Sequence, residues 1–175
     1  MNSNEIKIAI VGATGAAGGT ALELLLERNH PADKIVLMAS ERSAGRKLAY
    51  GDVELTVIHA NPEAFDGIDV ALFAAGGMVS RRLAHKAVER GVFVIDKGSI
   101  FRMDPTIPLV VPEVNGDDID WHPGIVSTPN CTTTPMVMAL DALRELSPIT
   151  AVTVATYQSV TGTGVLANEE LLEQS

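Results

Sequence analysis

The sequence predicts an α/β fold, a Rossmann-like, doubly wound and mostly parallel sheet. Short apolar runs rich in β-branched residues alternate along the chain with stretches of helical periodicity. A glycine motif, Gly12, Gly15 and Gly18, falls directly between the first such run and the first helical stretch. The 175 residues are 46% hydrophobic and 20% charged, enough for one full core.

Residues 6–11 (IKIAIV) read as a buried strand and residues 20–28 as the helix after the glycine turn. The first glycine permits the tight turn. The second lets a pyrophosphate approach the backbone, and the third allows close helix–strand packing. The helix N-terminus receives the phosphates. Residues 34–39 (KIVLMA) are the second strand. Its end carries Ser40, Arg42 and Ser43, which suit an adenosine 2′-phosphate and so NADP, with Glu41 as the opposing signal.

Residues 47–50 and 53–58 read as paired strands around Gly51-Asp52, and residues 63–65 as one helical turn. A buried strand at 69–74 ends in Ala75-Gly76-Gly77. A helix at 80–90 and a strand at 92–95 follow. Right-handed crossovers place the strand C-termini along one edge, where ligands bind. Gly76, Gly77, Asp96, Ser99 and Cys131 all follow strands and are expected there. Arg102 lies in the next loop. Its planar fork suits phosphate or carboxylate, and a surface ion pair with Asp104 is the competing reading.

Residues 124–126 are a short strand, and residues 136–146 have apolar residues at helical spacing. Pro135 is tolerated only near the first turn of that helix, so Cys131 falls at or just before its N-terminus. The unpaired N–H groups and the dipole there favour negative charge, hence the nucleophilic thiolate. Position alone leaves a second reading open, a small buried hydrophobe. Residues 149–156 (ITAVTVAT) are β-prone, and a helix begins near residue 166.

A net charge of −9 argues against nucleic-acid and anionic-membrane surfaces. A single cysteine excludes an internal disulfide framework. The first residues lack signal-peptide order, and no apolar run approaches the ~20 residues of a membrane span. A reducing, cytoplasmic setting is expected. The four histidines, His30, His59, His85 and His122, have no metal-ligand spacing, so no metal is expected.

Seven blocks in order resemble the aspartate-semialdehyde dehydrogenase family: GATGAAG at 12–18, ASERSAG at 39–45, FAAGG at 73–77, FRMD at 101–104, PLVVPEVN at 108–115, TPNCTT at 128–133 and TYQSVTGTG at 156–164. The related N-acetyl-glutamyl-phosphate reductases share the layout but differ around the cysteine and lack a TYQ block. The resemblance implies NADP-dependent interconversion of aspartate semialdehyde and aspartyl phosphate through a cysteine thioester, serving lysine, threonine and methionine synthesis.

It also implies roles for individual residues. Gly12 and the Thr14, Gly15, Ala16, Ala17 stretch would hold the pyrophosphate, and Ser40, Arg42 and Ser43 the 2′-phosphate. Gly76, Thr161 and Gly162 would line the remainder of the cofactor site. Cys131 would be the nucleophile, Gln158 would orient substrate, and Arg102 with Asn130 would hold substrate and phosphate.

Three positions depart from the family pattern. Lys97 and Gly98 stand where that pattern has Asn and Ser, and Ala17 is a milder change. Family members carry a second domain, through which they form homo-oligomers. It supplies a general-base histidine, an arginine for the substrate carboxylate and a phosphate-binding lysine. The expected division is a dinucleotide-binding domain over 1–130, then the nucleophile helix and the start of a truncated α+β domain over 131–175. Alone, such a chain is expected to lack turnover. The alternative is a non-catalytic nucleotide-binding or regulatory module of the same descent.

Overall fold

The computed structural model describes residues 5–163 and 165–174. Seven strands form one sheet in the order β3-β4-β2-β1-β5-β6-β7. They are β1 (Ile8–Val11), β2 (Ile35–Ala39), β3 (Lys47–Tyr50), β4 (Val53–His59), β5 (Val70–Phe73), β6 (Phe93–Asp96) and β7 (Ile125–Ser127). Only β3, paired with β4 through the Gly51-Asp52 turn, runs antiparallel. All other pairs are parallel, as the strand–helix alternation predicts. The sheet grows outward in both directions from β1, with β2 on one side and β5 on the other. That reversal is the switch point at which doubly wound sheets bind ligands.

Both faces of the sheet are covered, which is why its strands read as continuous apolar runs. Ile10, Ile35, Leu37 and Val57 pack with Leu22 of helix α1 (Ala16–Glu27) on one face. Ala9, Val11, Met38, Phe73 and Val94 pack with Leu83, Ala84 and Ala87 of α2 (Gly77–Val88) on the other. The alternation of Ala9, Ile10 and Val11 between the two cores is the period of two of a strand. Beside β7 runs the 107–111 stretch, tied to it by Val110 N–H donating to Ser127 O at 2.9 Å and Ser127 N–H donating to Pro108 O at 2.9 Å.

Three features differ from the sequence reading. Helix α1 starts at Ala16 rather than near residue 20, so Gly18 lies in its first turn. A Cβ on Gly18 would overlap the Gly12 carbonyl oxygen, which is the close packing expected of the third glycine. A short helix α3 (Pro112–Asn115) and a 3-10 segment (Gly116–Trp121) follow the 107–111 stretch, where no helix was expected. The β-prone run 149–156 belongs to no strand among the described residues, and Ile149, Val152 and Val154 are exposed. β-propensity records how well a side chain fits a paired, half-buried surface, and among the described residues this run has no ladder partner. Helices α4 (Thr133–Arg144) and α5 (Val165–Gln174) flank it. No helix among the described residues is long and apolar enough to cross a membrane.

Candidate active site

A cleft of ≈ 750 Å³ opens at the C-terminal ends of the strands. Its floor comes from Gly15, Ala16 and Ala17 after β1 and from Ala74 to Gly77 after β5, the two strands at the switch point. Lys97, Gly98 and Ser99 follow β6, and Thr128, Pro129, Asn130 and Cys131 follow β7. Arg102, Gln158 and Gly162 complete the wall. Residues spread over 148 positions of sequence thus meet because parallel crossovers return every strand end to one edge.

The glycine turn is shaped for close approach. Gly12 adopts φ +92, and a Cβ on it would stand 2.9 Å from the backbone of Ala74 and Ala75. Its N–H and that of Ala13 donate to Met38 O at 2.8 and 3.1 Å, fastening the turn to β2. No side chain caps α1 at Gly15, so the first-turn N–H groups at the cleft remain available to an anion.

Cys131 is exposed and immediately precedes Thr132, the N-cap of α4. The small-buried-hydrophobe reading therefore does not hold. Asn130 organises this turn: its Oδ1 accepts from Thr132 N–H at 3.0 Å and from the Thr132 hydroxyl at 2.7 Å. The Cys131 thiol lies 3.8 Å from the same oxygen. The Asn130 backbone carbonyl accepts from Thr133 and Thr134 N–H at 2.9 and 3.1 Å. With its amide oxygen engaged by the loop, Asn130 holds the cysteine at the rim of the cleft.

Arg102 makes no ion pair with Asp104. Its Nε donates to Thr128 O at 2.9 Å and its Nη2 to Lys97 O at 3.1 Å, which stretches the guanidinium between the loops after β7 and β6. Asp104 instead accepts from the Thr106 hydroxyl at 2.6 Å and from Thr106 N–H at 2.9 Å. Those bonds hold its carboxyl below the ordinary aspartate range. Gln158 lies against Gly162, whose added Cβ would sit 3.3 Å from the Gln158 amide nitrogen. Thr161 lies in the 3-10 turn Val160–Thr163, and Gly164 lies outside the described residues.

Not every expected residue reaches the cleft. Ser40, Arg42 and Ser43 form a 3-10 turn at the end of β2, with Ser43 buried and Ser40 and Arg42 exposed. Arg42 has no ion-pair partner among the described residues. Thr14 borders a smaller hollow of ≈ 270 Å³ between α1 and β3. Asp96 follows its strand to the edge, but its side chain is fully buried. It accepts from the Ser80 hydroxyl at 2.6 Å, and its Oδ2 is buried without a hydrogen-bond partner. Burial pushes its pKa up, against the lowering effects of Ser80, Gly98 and Arg102.

The wall formed by Val110, Val111 and Pro112 went unassigned in the sequence. Its signal was the apolar PLVVPE run just before β7, whose position depends on pairing with Ser127. Among the described residues that line the cleft there is no histidine, aspartate or glutamate.

Residues 7–122 match the family model described as semialdehyde dehydrogenase, NAD binding domain. The aspartate-semialdehyde dehydrogenase of Bacillus subtilis is 49% identical over 97% of this chain and 49% of its own length. Among solved structures, aspartate semialdehyde dehydrogenase II of Vibrio cholerae, complexed with ASA, superimposes with TM-score 0.89 at 43% identity. It covers 95% of this chain and 50% of that one. The Candida albicans enzyme with NADP gives TM-score 0.66 at 28% identity over 81% of this chain and 47% of that one. The chain spans about half the length of these relatives. The glycine turn, the cleft at the switch point and these likenesses agree: the chain belongs to the semialdehyde dehydrogenase family, with aspartate-semialdehyde dehydrogenases as relatives, and carries the family's NAD-binding domain.

Proposed function

We propose that this chain is the cofactor-binding and nucleophile-bearing part of an NADP-dependent, phosphorylating aspartate-semialdehyde dehydrogenase, working in the cytoplasm for lysine, threonine and methionine synthesis. The observation that carries this reading is the convergence of Cys131, Asn130, Arg102, Gln158 and the Gly15–Ala17 turn on one cleft. The cofactor reading suits the donor set: uncapped N–H groups at α1 for the pyrophosphate, and for the 2′-phosphate Ser40, Ser43 and Arg42, which has no ion-pair partner among the described residues. The NADP bound by the Candida albicans relative supports the same choice.

The Cys131 sulfur adds to the aldehyde carbon as a thiolate, forming the C–S bond of a thiohemiacetal. NADP, when bound, supplies the two-electron acceptor that converts this centre to a thioester. Phosphate held at Arg102 attacks the thioester carbon, breaks the C–S bond and returns the thiolate. The positive end of the α4 dipole favours the oxyanion of each tetrahedral centre, and Gln158 orients the substrate.

Residues 1–130 act as the dinucleotide-binding domain and residues 131–175 as the beginning of a second. Support for that division comes from the burial pattern, in which every buried residue among those described lies at or before Ser127.

With no histidine or carboxylate lining the cleft among the described residues, Cys131 lacks a general base. General acid–base help is typically worth about 10²–10⁴-fold, so steady-state turnover by this chain should fall below detection. Covalent addition should survive. Incubation with aspartate semialdehyde and NADP, then intact-mass analysis against Cys131→Ala, should show a modified Cys131. NADP binding without any adduct would favour a non-catalytic nucleotide-binding module, the second reading that the missing base supports. Loss of both would leave neither reading standing.

A further inference from the structure

We propose that Lys97 is the second cation of an oxyanion subsite inside this chain, acting beside Arg102 on a tetrahedral dianion of the phosphate type. The proposal rests on the reading of the cleft as the phosphorylating active site. Its motive is a charge pattern. The chain carries a net charge of −9, yet the charged residues lining the cleft are Lys97 and Arg102, both cations. An acidic protein that lines one concavity with two positive groups and no carboxylate presents a focused field for an anion.

The backbone geometry makes the pairing specific. Lys97 N–H donates to Phe73 O at 3.0 Å, fixing the residue to the end of β5. Its carbonyl accepts from Arg102 Nη2 at 3.1 Å, so the lysine stem starts from a point already in contact with the guanidinium. Arg102 spends one hydrogen on Lys97 O and one on Thr128 O, which leaves three of its five N–H donors without a partner among the described residues. The Lys97 ammonium is exposed and has no ion-pair partner among the described residues.

Asp96 is the carboxylate that faces Arg102, but it is fully buried beneath the Lys97–Ser99 loop. Its Oδ1 accepts from the Ser80 hydroxyl at 2.6 Å, and it does not line the cleft. Two like charges on one cleft wall repel each other. A dianion shared between a planar fork and a mobile ammonium relieves that repulsion and uses the free donors. Gly98 packs over the buried carboxylate instead: a Cβ there would stand 3.1 Å from Asp96 Oδ2.

The probe is inorganic phosphate, titrated calorimetrically into the 175-residue chain at fixed ionic strength, with and without saturating NADP. Lys97→Asn should weaken phosphate binding about fivefold to tenfold, as the loss of one charge-assisted contact at a partly solvated site. Lys97→Arg should restore most of it. NADP affinity should stay within about twofold in both variants, because a separate site adds independently. Saturating NADP should leave phosphate affinity similarly intact.

Wild-type phosphate affinity in Lys97→Asn, alongside lost affinity in Arg102→Gln, would overturn the proposal and leave Lys97 a solvated surface lysine. Competition between phosphate and NADP would also overturn it, since the subsite would then belong to the cofactor's pyrophosphate. Absence of any phosphate binding by the wild-type chain would overturn it as well. If NADP fails to bind while phosphate binding still depends on Lys97, the dehydrogenase reading falls and the subsite stands.

Discussion

Residues 5–127 and residues 128–174 are built to different standards. In the first region every strand of the sheet is paired, and both faces are packed against helices. In the second, no described residue is buried, although Leu143, Leu146, Val152, Val154 and Leu172 are apolar, and all five stand at least 49% exposed. Helical and β-prone sequence therefore does not by itself make a core. The first region supplies its own second layer, as a sheet needs, and among the described residues the second region has none. The cleft spans the two, with its floor from the first and Cys131, Gln158 and Gly162 from the second.

That contrast is open to direct attack, and the largest effect should come from the core. Phe73 is fully buried and stacks on Phe65 with ring centroids 5.9 Å apart. Phe73→Ala should cost about 3–5 kcal/mol in denaturant unfolding. Leu146→Ala, at an 83% exposed position, should stay within about 0.5 kcal/mol. Equal losses at the two sites would erase the difference between the regions.

Gly12 tests the floor. At φ +92, with a Cβ 2.9 Å from the Ala74 backbone, Gly12→Ala should cost at least about 1–3 kcal/mol in thermal unfolding and should weaken NADP binding with it. Gly45 also has positive φ but open space around it, so Gly45→Ala should carry the backbone strain without the clash and cost less.

Cofactor preference should reside in the first region alone. Arg42→Ala should remove about 1.5–3 kcal/mol of the preference for NADP over NAD, measured by titration of both, if a charge-assisted bond to the 2′-phosphate is lost. Gln158→Ala, in the second region, should leave that ratio unchanged. Equal affinity of the wild type for the two cofactors would refute the role of Arg42.

The smallest effect is a pH dependence. Burial raises the folded-state pKa of Asp96, so the folded chain binds its proton more tightly than the unfolded chain does. Stability from this group is therefore lost as pH rises from ~3.9, the ordinary aspartate value, through the raised folded value, and is level above that. Asp96→Asn removes the titration. Its melting temperature relative to wild type should climb across that window, and a constant offset between the two curves would show that Asp96 titrates alike in both states.

Much of the first region was legible in the sequence because its signals are local. Runs such as 6–11 and 34–39 announce buried parallel strands, and Gly12, Gly15 and Gly18 mark a strand–helix turn where a side chain would collide. The start of α1 was misplaced by four residues, since a glycine-rich first turn has poor helix propensity and is held by packing on β1. The placement of Cys131 before a helix followed from Pro135 and the spacing after it.

What the sequence by itself determined is the seven strands of the sheet, its four longer helices and the glycine turn. Each of these depends on side-chain period and backbone sterics within a few residues. The tertiary structure decided the partners. It turned Arg102 from Asp104 to the carbonyls of Thr128 and Lys97, and it buried Asp96 beneath the loop that leads from it. It also left 149–156 without a ladder and set Lys97 beside a guanidinium on the cleft wall. Hydrogen-bond partners and desolvation depend on which distant segments share a volume, and local periodicity carries no record of that.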